Sequence, residues 1–142
     1  MINELFSSKP VQSLILGFIL AQVIKLIHDF TTSKKISWRL IFEEGGFPSA
    51  HICGMTAVAT AILIEQGLSL LFVAFVAVLI IVFRDAVGVR NRAGRLGKAV
   101  NQMAKKAKVS ISEQDEQVGH TIFEAVSGLV FGFLIALVIY AL

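Results

Sequence analysis

The stretch EEGGFPSAHICGM, residues 43–55, decides the fold, because it separates two long apolar segments and opens the second of them. Its two glycines permit a tight backbone path, and Pro48 suits the first turn of a helix, where its missing N–H loses no partner. Ser49 and His51 then lie at or beside the helix start. Such a start presents free N–H groups and a partial positive charge, which attract anions and phosphate above all. The stretch therefore predicts a phosphate site at a membrane surface.

The composition indicates an integral membrane protein. Of 142 residues, 56% are hydrophobic and 16% charged, and the mean hydropathy is +0.78, whereas a soluble domain is about half apolar and a quarter charged. The length predicts one domain, residues 1–142. The first apolar run has no small-residue cleavage site, which favours a retained span over a signal peptide. The lone Cys53 is expected to be a small packing residue.

Four apolar runs predict an all-α, polytopic membrane helix bundle, with spans at 11–30, 49–64, 68–83 and 120–142. A span needs about 20 mainly apolar residues, so the second and third are short. They predict either a locally thinned bilayer or a helical hairpin that does not fully cross. Gly128 and Gly132 form a small-residue face that lets another helix approach, either within the chain or in a homo-oligomer.

Residues 84–119 are predicted to be a long loop that contains one amphipathic interfacial helix. Apolar residues recur at helical spacing, and lysines occupy much of the remaining circumference of the helix. This arrangement is suited to an anionic membrane surface. These apolar residues are Leu96, Ala99, Val100, Met103 and Ala107.

Four crossings place residues 31–47 and 84–119 on one side, with both termini and a tight turn at 65–67 on the other. Eleven of the thirteen Lys and Arg residues lie in those two loops, so the positive-inside rule predicts that both face the cytoplasm. Basic residues that flank spans favour lipid headgroups as partners, and not nucleic acid. Polar residues from distant parts of the chain then fall at one membrane level: Lys25, Ser49, His51, Asp85, Arg90, His120 and Glu124.

Lys25 lies near the end of the first span and shares a helix face with Gln22 and Asp29. An ionisable residue at that depth usually points to a partner or a wet cavity. The alternative is that its ammonium group extends to the interface.

Two histidines suit the cleavage of a phosphate ester. His120 and Glu124 are spaced i, i+4, so a carboxylate bonded to one ring nitrogen would leave the other free to attack phosphorus. His51 would be the general acid. The phosphate oxygens need cationic and N–H donors, and the candidates are Lys25, Arg39, Gly46, Ser49 and Arg90, with Asp85 in a supporting position. Arg39 is equally well explained as a topology signal.

Metal sites are weaker options, and no metal or other cofactor is expected. Three histidines and one cysteine occur without the close spacing of a zinc site. Asp85 with Glu124 or Glu116 is an alternative site for magnesium beside a phosphate.

Three runs in order, GGFPSAH at 45–51, RDAVGVRNRAG at 84–94 and EQVGHTIFEAVSG at 116–128, resemble the divergent branch of the type-2 phosphatidic acid phosphatase family. That branch is also described as related to acid phosphatases and vanadium-dependent haloperoxidases. The resemblance extends from about Gln22 to Gly132. It implies a metal-independent phosphatase that acts on a membrane lipid phosphate.

The resemblance also implies roles for particular residues. Lys25 matches the lysine of the family's first motif, and Pro48, Ser49 and His51 match its Pro-Ser-Gly-His motif, with Ala50 at the glycine. In the third motif His120 matches the histidine, Glu124 stands in place of aspartate, and Arg90 is the best candidate for the arginine.

Three hypotheses follow. The first is a lipid phosphate phosphatase that hydrolyses a phosphomonoester or diphosphate headgroup, on a phospholipid or prenyl phosphate, through a phosphohistidine. The second is a phospholipid-binding or lipid-transporting protein without turnover. The third is a small oligomeric scaffold packed through Gly128 and Gly132.

Overall fold

The computed structural model describes residues 2–34, 45–116 and 118–142. These residues form helices and connecting segments, with no strand among them, which confirms the all-α membrane bundle. The helices are α1 (Ile2–Ser7), α2 (Lys9–Ser33), α3 (Ala50–Gln66), α4 (Leu70–Arg84), a π-helix (Asp85–Arg90), α5 (Asn91–Ala107) and α6 (Ile122–Ala141).

The central helix of the bundle is α3, which contacts α2, α4 and α6. Ten of its 17 residues are buried, whereas α4, described along its whole length, has none. Among the residues that the structure describes, three helical runs are long and apolar enough to cross a membrane: Lys9–Thr32, Leu70–Ala107 and Ile122–Ala141. The predicted third span, 68–83, matches α4, which is 15 residues long, and the helix then continues through the π-helix into α5 as one run of 38 residues.

Small residues on α2 and α6 allow the close approach of α3. On α2, Ser13, Gly17 and Ala21 are four apart and buried, and a Cβ added to Gly17 would lie 3.0 Å from the Cβ of Ala57. Lipid tails are as apolar as the side chains, so helices in a bilayer gain most from this kind of tight packing.

The glycines of α6 pack within the chain. A Cβ on Gly128 would lie 2.8 Å from the Ser49 carbonyl oxygen, and one on Gly132 would lie 2.3 Å from that of Cys53. The intrachain alternative is therefore the arrangement observed. Association of two chains stays a prediction, and it would need a different face.

The prediction of a loop was wrong over residues 85–95, which are helical, so the predicted amphipathic helix begins earlier than expected and continues from α4 without a break. Its glycines accommodate the segment after α5, which runs back along that helix. A Cβ on Gly94 would lie 2.8 Å from the carbonyl oxygen of Val118, and one on Gly97 would lie 2.6 Å from that of Asp115. The glycine-rich composition that suggested a loop thus serves backbone packing against a helix.

The bundle has two distinct ends. At one end the Lys9 ammonium lies 5.1 Å from the centroid of the Tyr140 ring, so the start of α2 meets the end of α6. At the opposite end α3 and α6 begin, and the polar residues singled out by the sequence gather there.

Candidate functional site

One small cavity collects residues from three separate parts of the chain. It measures about 110 Å³, which is room for a small polyatomic group, since one water needs roughly 10–15 Å³ of such space. Five of the predicted site residues line it, together with Val82 and Ala86: Ser49, His51, Asp85, Arg90 and His120.

Ser49 is the N-cap of α3, with extended backbone at φ −69° and ψ 111°. Pro48 therefore precedes the cap, and its predicted place in the first helical turn was wrong, because the helix begins at Ala50. The Ser49 side chain makes no capping bond, and its Oγ is buried with no hydrogen-bond partner among the described residues. Such a hydroxyl at the wall of a cavity is suited to bond with whatever occupies it.

His51 is the second residue of α3 and is exposed. Its ring packs edge-on against Phe18 of α2, with 5.4 Å between the ring centroids. The imidazole is therefore held beside α2 while it lines the cavity from the α3 side.

Asp85 and Arg90 begin and end the π-helix, and Arg90 Nε donates a hydrogen bond to Asp85 Oδ2. In an α-helix, residues five apart would be separated by roughly 140° around the axis. An i→i+5 turn instead stacks them nearly above one another. The π-helix therefore brings both side chains to the cavity, and Asp85 has the predicted position beside Arg90.

His120 lies before α6, not on it, so the predicted shared helix face with Glu124 was wrong. Thr121 is the N-cap and α6 begins at Ile122. The main chain of buried His120 is held at two points: its N–H donates to Ala86 O at 3.0 Å, and its carbonyl accepts from Asn91 Nδ2 at 3.2 Å. The turn into the helix still brings His120 Nδ1 to 3.6 Å from Glu124 Oε2.

Glu124 also belongs to a capping box. The Thr121 N–H donates to Glu124 Oε2 at 2.8 Å, and the Glu124 N–H donates to Thr121 Oγ1 at 3.2 Å. The distance of 3.6 Å to His120 Nδ1 is longer than a hydrogen bond, and that nitrogen has no bonded partner among the described residues. Glu124 therefore stabilises the start of α6 and faces the imidazole at ion-pair distance.

Lys25 is buried and continues the line of small residues on α2, four positions after Ala21. Its burial favours a partner inside the protein, and both interpretations of its ammonium group stay predictions. Gly46, with φ +93°, passes close by, and a Cβ there would lie 2.9 Å from Lys25 Cε. Both residues flank the turn that leads to Ser49, although neither is among the described residues lining the cavity. Arg39 lies outside the described residues.

Two contributors to the site were missed from the sequence. Ala86 and Asn91 hold the main chain of His120, and both occur in the RDAVGVRN run. The polar Asn91 next to Arg90 was a usable signal. Ala86 gave none, because it acts through its carbonyl oxygen.

Within residues 2–34, 45–116 and 118–142, no three His, Cys, Asp or Glu side chains come together as a metal site would require. The carboxylate of Asp85 pairs with Arg90, and that of Glu124 belongs to the capping box.

The fold and the cavity define a multi-pass α-helical membrane protein with a polar site at one end of its bundle. Residues 6–135 match the Divergent PAP2 family, and this chain belongs to that family, which confirms the resemblance seen in the three motifs. It is 33% identical to the "Uncharacterized membrane protein YuiD" of Bacillus subtilis (strain 168), over 96% of each chain. No solved structure matches the chain.

Proposed function

We propose that this protein hydrolyses the phosphate monoester or diphosphate headgroup of a membrane lipid through a phosphohistidine formed on His120. The observation that carries the proposal is the cavity in which two imidazoles, a guanidinium and a buried serine hydroxyl meet. Membership of the Divergent PAP2 family supports a relationship to phosphatases.

Binding of the phosphate follows from the donors at the cavity. Arg90 offers a rigid fork of N–H groups that suits phosphate oxygens, and Asp85 restrains it. Ser49 Oγ donates a further bond and gains the partner that the described part of the chain does not give it. Lys25, Gly46 and Arg39 supply charge and backbone donors from the segments that lead to this turn.

In the first step, Nε2 of His120 attacks phosphorus while Nδ1–H faces the Glu124 carboxylate. The bond from phosphorus to the lipid oxygen breaks, and that oxygen takes a proton from His51. In the second step, water attacks phosphorus and gives its proton to His51, the P–N bond breaks, and inorganic phosphate leaves. This assignment requires His120 Nδ1 and Glu124 Oε2 to close from 3.6 Å to about 2.8 Å, a tightening common between free and substrate-bound active sites.

The excess of Lys and Arg in the two long loops supports a cytoplasmic orientation for the cavity and the opposite orientation for both termini. On this proposal the substrate is a lipid of the inner leaflet.

The direct test is phosphate release by purified protein from phosphatidic acid, phosphatidylglycerophosphate and a prenyl diphosphate. We expect His120→Ala to lose turnover on the substrate that wild type hydrolyses. The matched control is His28→Ala. His28 is the remaining histidine of the chain, and it contacts Phe47 and does not line the cavity. An inactive wild type, or equal activity of wild type and His120→Ala across the panel, refutes the proposal.

The role of His51 can be separated from that of His120 by changing the leaving group. An aryl phosphate such as p-nitrophenyl phosphate needs little protonation of its leaving oxygen. We therefore expect His51→Ala to lose much less activity on the aryl phosphate than on a lipid phosphate, and His120→Ala to lose both equally. Rapid acid-labile, alkali-stable labelling of the protein by ³²P-substrate would report the phosphohistidine.

The second candidate is a phospholipid-binding or lipid-transporting protein, and one observation favours it. The capping box already gives Glu124 a structural role, while His120 Nδ1 is not within hydrogen-bond distance of it. Phospholipid binding that survives His120→Ala, together with no phosphate release by wild type, would select this function.

A further inference from the structure

An exposed apolar stripe runs along α5. It consists of Leu96, Val100 and Met103, spaced four and three residues apart, so the three side chains share one face of the helix. Their exposures of 66%, 43% and 68% are high for large apolar side chains on a polar helix. The helix follows the apolar α4 in the same helical run, and the rest of the bundle leaves this stripe exposed.

Positive charge lies beside the apolar stripe. The helix contains five Lys and Arg residues and no acidic one. At about 100° per residue, three of these cations lie roughly 45–110° from the centre of the stripe, all along the same edge. These are Arg92, Arg95 and Lys106.

Negative charge lies on the other side of α5. The segment after the helix runs back along it, held by a reciprocal pair of bonds: Asn101 Nδ2 donates to Gln114 O at 2.8 Å, and Gln114 N donates to Asn101 Oδ1 at 2.9 Å. Asn101 faces roughly 130° away from the apolar stripe. The returning segment carries the acidic residues Glu113, Asp115 and Glu116. One side of this unit is therefore apolar and basic, and the other carries the acidic segment together with Lys98 and Lys105.

We propose that α5 docks its apolar stripe and basic edge on the anionic leaflet of the membrane that the bundle spans, with the acidic segment facing water. A lipid surface matches both features, because anionic headgroups attract the basic edge while the acyl region takes up the apolar side chains. A second copy of the chain fits less well, since pairing two stripes would bring together helices that each carry five cations. The π-helix between α4 and α5 is the kind of irregularity at which a helix changes direction.

The test measures only where α5 lies relative to the membrane, and it does not require catalytic activity. The full chain, with Cys53→Ala, carries a single new cysteine at Met103→Cys in the apolar stripe or at Lys105→Cys on the far side of the same turn. Each is labelled with an environment-sensitive dye and reconstituted in phosphatidylcholine vesicles with or without phosphatidylglycerol. A lipid spin-labelled near the top of its acyl chain is the quencher.

We expect the label at 103 to be quenched several-fold more than the label at 105 in vesicles that contain phosphatidylglycerol. The difference should shrink in pure phosphatidylcholine and at high salt, because the attraction to the leaflet is partly electrostatic. Equal quenching at both positions in all vesicles overturns the proposal. So does energy transfer between labels at position 103 of two chains, which would mean that a second copy covers the stripe.

Discussion

The two helices that begin at the cavity have the same kind of N-cap residue, but the two capping side chains differ in their hydrogen bonds. Both α3 and α6 have a hydroxyl residue with extended backbone at the N-cap, Ser49 in one and Thr121 in the other. Thr121 Oγ1 accepts from the Glu124 N–H, and Glu124 returns a bond to the Thr121 N–H. Ser49 Oγ is buried and makes no such bond.

Thr121 therefore stabilises the fold, whereas Ser49 leaves a donor for a ligand. A satisfied N-cap typically stabilises a helix by about 1 kcal/mol, whereas a buried polar group without a partner costs about 1–3 kcal/mol. The two starts are joined, because the Ser49 N–H donates to the Glu124 carbonyl oxygen at 3.2 Å. The cap of α6 therefore fixes the position of the uncommitted hydroxyl at the start of α3.

The largest expected effect separates the two roles of Glu124. Glutamine at this position can keep the capping box, since its amide oxygen also accepts from the Thr121 N–H, but it lacks the negative charge that faces His120. On the proposed mechanism, Glu124→Gln should lower kcat on the order of 10²–10⁴-fold and leave thermal stability unchanged. Phosphate release and thermal unfolding of the same preparation measure both.

Two results would count against this separation of roles. Unchanged turnover in Glu124→Gln would restrict Glu124 to capping. A fall in stability as large as that of Glu124→Ala would mean that the glutamine does not preserve the cap, and the kinetic result could then be explained by structural loss.

The next largest effect is expected where the starts of α3 and α6 pack against each other. A Cβ at Gly128 would lie 2.8 Å from the Ser49 carbonyl oxygen and 3.2 Å from the Ile52 Cβ. We expect Gly128→Ala to destabilise the protein by about 1–3 kcal/mol, as overpacking of a tight interface does, measured by unfolding in mixed detergent.

Gly88→Ala is the matched control for Gly128→Ala. It also lies in a helical segment, but a Cβ there meets nothing within 4 Å. Its stability should therefore stay within about 1 kcal/mol of wild type. Equal losses in the two variants would contradict this explanation, because helix propensity alone favours alanine over glycine at both positions.

The sequence predicted most of the bundle because apolar runs are a strong signal. The spans at 11–30, 49–64 and 120–142 match α2, α3 and α6 to within three residues at each end. The same signal failed over residues 85–95, where the glycines and arginines suggested a loop but the chain is helical. Gly94 and Gly97 let another segment of backbone lie against the helix, and a contact of that kind leaves no periodic pattern in the sequence.

The convergence of Ser49, His51, Asp85, Arg90 and His120 was also predictable, since topology alone places them at one membrane level. Their local geometry was not. The i, i+4 spacing of His120 and Glu124 suggested a shared helix face. Thr121 is the N-cap of α6, however, so His120 precedes the helix. The π-helix that turns Arg90 toward Asp85 likewise has no sequence signature that we could use.

A smaller effect is expected at the complete cap. Thr121→Ala removes the hydroxyl that accepts from the Glu124 N–H, so it should destabilise the protein by about 1 kcal/mol, seen as a lower midpoint of thermal unfolding. Thr121→Ser keeps the oxygen and should restore most of the loss. If both variants are equally destabilised, the missing methyl group rather than the capping bond explains the change.

Little or no loss of stability is expected at Ser49, which is the sharpest test of the comparison. Ser49→Ala removes a hydroxyl that the described part of the chain does not bond, so stability should stay within about 0.5 kcal/mol of wild type or rise slightly. On the proposed function the same change should raise KM for the lipid phosphate, because one donor to the phosphate is lost. A loss of about 1 kcal/mol with an unchanged KM would mean that Ser49 caps α3 as Thr121 caps α6, and the difference between the two helix starts would disappear.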